Sequence, residues 1–183
     1  MTSRPPLGTR TAALTVAALA ATVLAADQIT KQLAIQWLPP REPVPVIGDA
    51  LVLYLTRNPG AAFSLGESVT WIFTLALAAV AVAIIVVIGR VHSRAWAVVL
   101  GLLLGGVLGN LTDRMLREPA VGVGHVVDFI STPWLLPAVY NIADIFIVGS
   151  MIALALLILL GRRLDATAPP AAEAGDGGSI ASE

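Results

Sequence analysis

Two aspartates have no cation next to them. Asp128, in "GHVVDFI", and Asp144, in "YNIADIF", lie sixteen residues apart, each set against apolar sequence. Two carboxyl groups sharing a poorly solvated site cannot both ionise easily, so one keeps its proton. Such a pair suits peptide hydrolysis. The ionised group takes a proton from water, which attacks the scissile carbonyl. The protonated group donates to the carbonyl oxygen as the tetrahedral intermediate forms. The two then titrate as a unit.

Other polar residues break apolar runs in the same manner. Asp27 and Lys31 are four apart, share a helix face and can pair. Asn110 and Arg114 repeat that spacing, with Asp113 between them, and Asn58 closes a β-rich segment. Asp27 and Asp113 each have a base close by, Lys31 and Arg114, that would hold them ionised, which leaves Asp128 and Asp144 as the reactive candidates. Each residue also has a bland explanation. Asn141-x-x-Asp144 fits a helix N-cap with an acid in the first turn. Asp113–Arg114 fits a helix end with a snorkelling arginine. Asp27–Lys31 fits a simple stabilising pair, and His125 an interfacial histidine. Taken singly, these explanations do not account for all the polar groups lying at one depth.

Other chemistries find less support. Ser64 and Lys31 are the parts of a Ser–Lys dyad, but they are far apart in sequence and Lys31 has Asp27 nearer. A metal site from Asp113, Asp128, Asp144 and His125 shows no ligand spacing, and there is no H-E-x-x-H. The absence of cysteine excludes a cysteine nucleophile, thiolate metal sites and disulfides. No metal or cofactor is expected.

The elements that must position these residues are membrane helices. The chain has 183 residues, 57% of them hydrophobic and 13% charged, where a soluble domain carries about 25% charged residues. Mean hydropathy is +0.85. Four stretches, about 12–36, 69–89, 95–113 and 141–161, are long enough to cross a bilayer and must do so as helices. Gly101, Gly105, Gly106 and Gly109 in the third allow a neighbouring helix to approach closely. Segment 50–58, "ALVLYLTRN", reads as a short strand or two in a proline-bearing loop, 38–68. The predicted fold class is therefore mainly α: an integral four-helix bundle with a small β-rich extracytoplasmic loop. Residues 1–11 form a cytoplasmic N-terminus, 12–163 the membrane domain and 164–183 a disordered cytoplasmic tail. A rival reading makes Arg4, Arg10 and the apolar run ending "VLAAD" a cleavable signal peptide, but apolar character resumes through Ile29, Leu33 and Trp37.

Orientation follows the Lys/Arg bias. Arg4, Arg10, Arg90, Arg94, Arg162 and Arg163 fall on one side, which is assigned to the cytoplasm. Arg41, Arg57 and Arg117 fall on the other, diluted by Glu42, Asp49, Glu67, Glu118 and Asp128. The interrupting polar residues sit toward that second, outer side. A charge at a helix centre costs about 2.5–3.5 kcal/mol, so such residues at one depth are expected around one polar cavity. The net charge of −1 and the lack of a basic block give no sign of a nucleic-acid partner.

Five blocks in order give the chain a specific resemblance: "DQITK", "RNPGAAFSL", "GNLTDR", "VVDFI" and "YNIAD". From about residue 27 to 160 it resembles the lipoprotein signal peptidase family, also called signal peptidase II. The resemblance implies an aspartic endopeptidase of the bacterial cytoplasmic membrane that cuts diacylglyceryl-modified prolipoproteins just before the lipidated cysteine. Membrane lipid would surround it, and a single chain would suffice. The family's catalytic pair falls on Asp128 and Asp144. Asn58, Gly60, Asn110, Arg114 and Asn141 match positions that hold the active site and substrate, while Asp27, Lys31 and Asp113 match positions that support the fold. Tyr140 stands where phenylalanine is common. The rival from another class is a small transporter or channel with ion-carrying carboxylates. Against it, the polar groups stop at one side and the second span offers no polar path.

Overall fold

A computed structural model of the chain describes residues 6–60 and 70–165. Its elements run α1 (Thr9–Trp37), β1 (Val44–Ile47), β2 (Leu51–Asn58), α2 (Thr70–Val87), a short 3₁₀ turn (Ile88–Arg90), α3 (Arg94–Leu116), β3 (Val126–Ser131), β4 (Val139–Tyr140) and α4 (Ile142–Leu159). All four helices are long and apolar enough to cross a membrane. They lie within a few residues of the expected spans, with α1 three residues longer at its start and α3 three longer at its end.

Helix α3 is the central post, packing against α1, α2 and α4. Its glycines explain how. A Cβ on Gly105 would lie 2.8 Å from the Ala20 carbonyl oxygen, and one on Gly109 would lie 2.6 Å from Asp27 Oδ2. With only hydrogens there, α1 lies close along α3. The buried stripe of α1 is Ala12, Val16, Ala20, Val23, Asp27, Lys31 and Ala34, steps of three and four that keep one helix face turned inward. Small residues fill the lower part of this stripe, and the two charged ones enter only near its end.

Helices α2 and α4 keep most of their surface outward, with large apolar side chains such as Val82, Ile85, Val148, Ile152 and Ile158 exposed. In water these would be a liability, but against lipid they are the matching surface. Away from the sheet, the core is Ala12, Val16, Ala20, Ala81, Ile84, Leu100, Leu103, Leu104 and Val107. Among the described residues this apolar cluster fills the bundle away from the sheet. At that far end the chain ties itself together, with Leu7 N donating to His92 O (2.8 Å) and Trp96 Nε1 to Arg162 O (3.0 Å).

The strands form one antiparallel sheet in the order β1-β2-β3-β4. The first connection was expected to hold a strand or two, and it supplies β1 and β2. No strand is predicted in the second connection, between α3 and α4 (117–141), which supplies β3 and β4. The register pairs Thr56 with Asp128 and Asn58 with Val126. Trp134 Nε1 also donates to Ala50 O at 2.9 Å, fastening the second connection to the turn between β1 and β2. The expected tail falls largely outside the described residues, as do residues 61–69 with Ser64.

Candidate active site

The end of the bundle nearest the sheet is built around two layers of carboxylates. The deeper one centres on Lys31, which is fully buried. Its Nζ lies 2.8 Å from Asp27 Oδ2, 2.8 Å from Asp113 Oδ2 and 3.0 Å from Asn110 Oδ1. An ammonium carries three donors, and here each has an acceptor. This corrects one pairing expected from sequence. Asp113 is not held by its neighbour Arg114, because consecutive residues point about 100° apart on a helix. Its partners are Lys31, across the α1–α3 contact, and Arg117, one turn on, whose Nε is 2.6 Å from Asp113 Oδ1.

The same two carboxylates also reach backbone. Asp113 Oδ2 accepts from Val127 N (3.1 Å), and Asp27 Oδ1 accepts from Ala143 N (2.9 Å). Val127 immediately precedes Asp128, and Ala143 immediately precedes Asp144. The deeper layer thus grips the chain one residue before each member of the second pair.

That second pair lines a cavity of about 320 Å³ with Asn58, Gly60, Phe73, Ala76, Leu77, Asn110, Arg114, Val126 and Ile147. Asn58 Nδ2 donates to Asp128 Oδ2 at 3.0 Å, and Asn141 Nδ2 to Asp128 Oδ1 at 2.7 Å. Asn110 Nδ2 donates to Asp144 Oδ1 at 2.8 Å. The amides are oriented from behind. Asn58 Oδ1 accepts from Gly60 N, Asn141 Oδ1 from Asp144 N, and Asn110 Oδ1 from Lys31 Nζ. Each amide therefore has its oxygen engaged and turns its NH₂ toward a carboxyl group. Asn141 and Asp144 also form a reciprocal capping box that starts α4, with Asn141 N donating to Asp144 Oδ2 at 3.1 Å. The N-cap expected of Asn141-x-x-Asp144 is thus present, and the capping acid also lines the cavity.

Arg114 lines the cavity without pairing to either acid. Its Nη1 donates to the carbonyls of Pro59 (3.2 Å) and Gly124 (3.3 Å), and the guanidinium lies 5.7 Å from the Phe73 ring centroid. Gly60, at φ +97°, has the left-handed backbone that glycine permits. A Cβ there would lie 2.7 Å from both Arg114 Nη2 and the Phe73 ring. Asp128 is 2% exposed. Burial, and then the charge of Asp144, push its carboxyl up to about 6.

The structure brings together every site residue expected from sequence, in two groups: Asp128, Asp144, Asn58, Gly60, Asn110, Arg114 and Asn141 around the cavity, and Asp27, Lys31 and Asp113 behind it. His125 does not line the cavity. Among the described residues no three His, Asp or Glu side chains converge as a metal set. Phe73, Gln28 and Arg117 are not among the site residues expected from sequence. The first is an aromatic in a span that holds no charge. Gln28 owes its role to contacts with a distant segment, whereas Arg117 meets Asp113 one helical turn away, a spacing legible in the sequence.

Fold and cavity together define a multi-span membrane enzyme with paired carboxyl groups at one end of its bundle. Comparison with known proteins says which. Residues 19–160 match the family described as Signal peptidase (SPase) II. The chain is 50% identical over 150 residues to a lipoprotein signal peptidase of Leifsonia xyli subsp. xyli, covering 82% of this chain and 69% of that one. It is 48% identical over 147 residues to that of Mycobacterium avium, covering 80% of each. A solved structure described as "Bacterial membrane enzyme structure by the in meso method at 1.9 A resolution" superposes with a TM-score of 0.70 at 26% identity, over 86% of this chain and 98% of that one. The chain belongs to the signal peptidase II family.

Proposed function

We propose that Asp128 and Asp144 are the catalytic pair of this signal peptidase. The enzyme removes signal peptides from prolipoproteins. The observation that carries the assignment is that both carboxyl groups line one cavity and are held by amides. No salt bridge reaches either of them among the described residues.

The mechanism follows from that geometry. The pair holds one proton, and the raised pKa of Asp128 lets protons exchange there near neutral pH. The ionised partner takes a proton from a water in the cavity, and the resulting hydroxide attacks the scissile carbonyl. The protonated partner donates to the carbonyl oxygen, and collapse of the intermediate returns a proton to the leaving amine. Arg114 stands in the cavity to orient backbone carbonyls or soften the developing charge. Asn58, Asn110 and Asn141 keep both carboxyl groups aimed.

Access is lateral. Phe73, Ala76 and Leu77 of α2 and Ile147 of α4 form the apolar part of the cavity wall, so a signal helix can bring its cleavage site in from lipid. Arg10, Arg90, Arg94, Arg162 and Arg163 lie at the opposite end, and the positive-inside bias supports a cytoplasmic assignment for that end. The cavity then opens at the extracytoplasmic headgroup level, the depth of a diacylglyceryl-modified cysteine, and cleavage falls just before that residue. The sheet lies where it can support the substrate's emerging chain.

The test is cleavage of a diacylated prolipoprotein by purified protein. Asp128→Asn and Asp144→Asn are each expected to lose about 10³-fold or more in kcat, with a chelator leaving wild type unchanged. Full activity in either variant rejects the pair, and loss of wild-type activity on chelation replaces it with a metal mechanism.

A further inference from the structure

Two side chains behind the pair have no role in the mechanism above. Gln28 Nε2 lies 3.1 Å from each of Asp27 Oδ2, Asp113 Oδ1 and Gly109 O. Arg117 Nε bonds Asp113 Oδ1 at 2.6 Å, and its Nη2 reaches Gln28 Oε1 at 3.5 Å. They therefore link the two carboxylates whose remaining oxygens hold Val127 N and Ala143 N, one residue ahead of Asp128 and Asp144. The layer's formal charge also depends on Arg117. Asp27 and Asp113 are two anions, Lys31 is one cation, and Arg117 brings the sum to zero.

We propose that Gln28 and Arg117 are positioning residues. Gln28 locks the Asp27–Lys31–Asp113 layer that sets the backbone under both catalytic aspartates, and Arg117 keeps that layer neutral so that the pair can carry its negative charge. The proposal rests on the assignment of Asp128 and Asp144 as the catalytic pair.

Among the described residues the charged groups around the pair are few. Helix α1 supplies Asp27 and Lys31, and α3 supplies Asp113, Arg114 and, at its end, Arg117. Strand β2 offers the neutral Asn58, α2 the uncharged Phe73, Ala76 and Leu77, and α4 the neutral Asn141 and Ile147 beside Asp144 itself. Removing Arg117 leaves an uncompensated anion behind the pair, which makes ionising it costlier.

A simpler role exists for Arg117, since a cation at a helix C-terminus favours the helix dipole. That role predicts altered stability alone. The experiment measures kcat and KM for a diacylated prolipoprotein peptide between about pH 5 and pH 9, on full-length protein whose folding is checked by thermal unfolding. Arg117→Gln is expected to lower kcat about 10-fold with KM held within about twofold. The acid limb of its kcat profile moves to higher pH by about half a unit, and Arg117→Lys restores it. Gln28→Leu, uncharged and similar in size, lowers kcat with KM held and leaves the limb in place, which gives a second reading if Arg117→Gln does not fold. A wild-type profile in Arg117→Gln, no rescue by Arg117→Lys, or wild-type kcat in Gln28→Leu overturns the proposal. Asp128→Asn runs in parallel. If it is inactive while the other variants behave as wild type, this proposal alone fails. If it is fully active, the catalytic assignment fails.

Discussion

Asp27 and Asp113 are buried behind Asp128 and Asp144, and the two pairs share residue type and the same end of the bundle, with Asp128 buried as they are and Asp144 half-buried. They differ in what stands between them. The first pair closes on an ammonium, with Lys31 within 2.8 Å of both. The second is spanned by the amides of Asn110 and Asn141. A cation fixes its carboxylates in one charge state, and they become scaffold. An amide fixes position and leaves the proton free to move. The counter-charge separates the deeper aspartates from the proposed catalytic pair.

Taking the cation away should break that contrast most severely. Lys31→Met leaves two buried carboxylates without compensation, and a loss of about 3–5 kcal/mol is expected, read from thermal or denaturant unfolding in detergent. A stability close to wild type would mean that the deeper pair does not need its lysine.

Titration sharpens the contrast from the other side. The Asp128 carboxyl rises from 3.8 in the unfolded chain to about 6 in the fold. Its contribution to stability is therefore full below the lower value and is lost as pH rises through the upper one. Asp128→Asn does not titrate, so relative to wild type it should gain up to about 3 kcal/mol between roughly pH 4 and pH 7. Unfolding curves across that range check it, and a constant difference would contradict the raised value.

The smallest effect expected is steric. Gly109→Ala would set a methyl 2.6 Å from Asp27 Oδ2 and 3.2 Å from Ala143 Cβ, pushing α1 or α4 away from α3. A cost of about 1–3 kcal/mol is expected, with a fall in kcat because Ala143 leads into Asp144. Gly8→Ala, with open space around it, serves as the neutral control.

Hydropathy made the helices legible, since a long apolar run in lipid has one way to satisfy its backbone. The depth of the polar residues made the cavity legible. Spacing alone failed for Asp113, where the adjacent Arg114 suggested a pair that the helix turn forbids. Strands β3 and β4 were hidden because their pairing with β2 and with each other is non-local and because β4 is only two residues long. Gln28 and Arg117 were hidden for a related reason. They are 89 residues apart, and although Arg117 meets Asp113 at a local four-residue spacing, only the close contact of α1 with α3 joins it to Gln28.

The capping box of α4 carries a last consequence. One oxygen of Asp144 secures the helix start while the other faces the cavity. Fraying of that first turn would release both at once, so thermal inactivation is expected to follow the local melting of a few residues and to begin while the rest of the bundle is still intact.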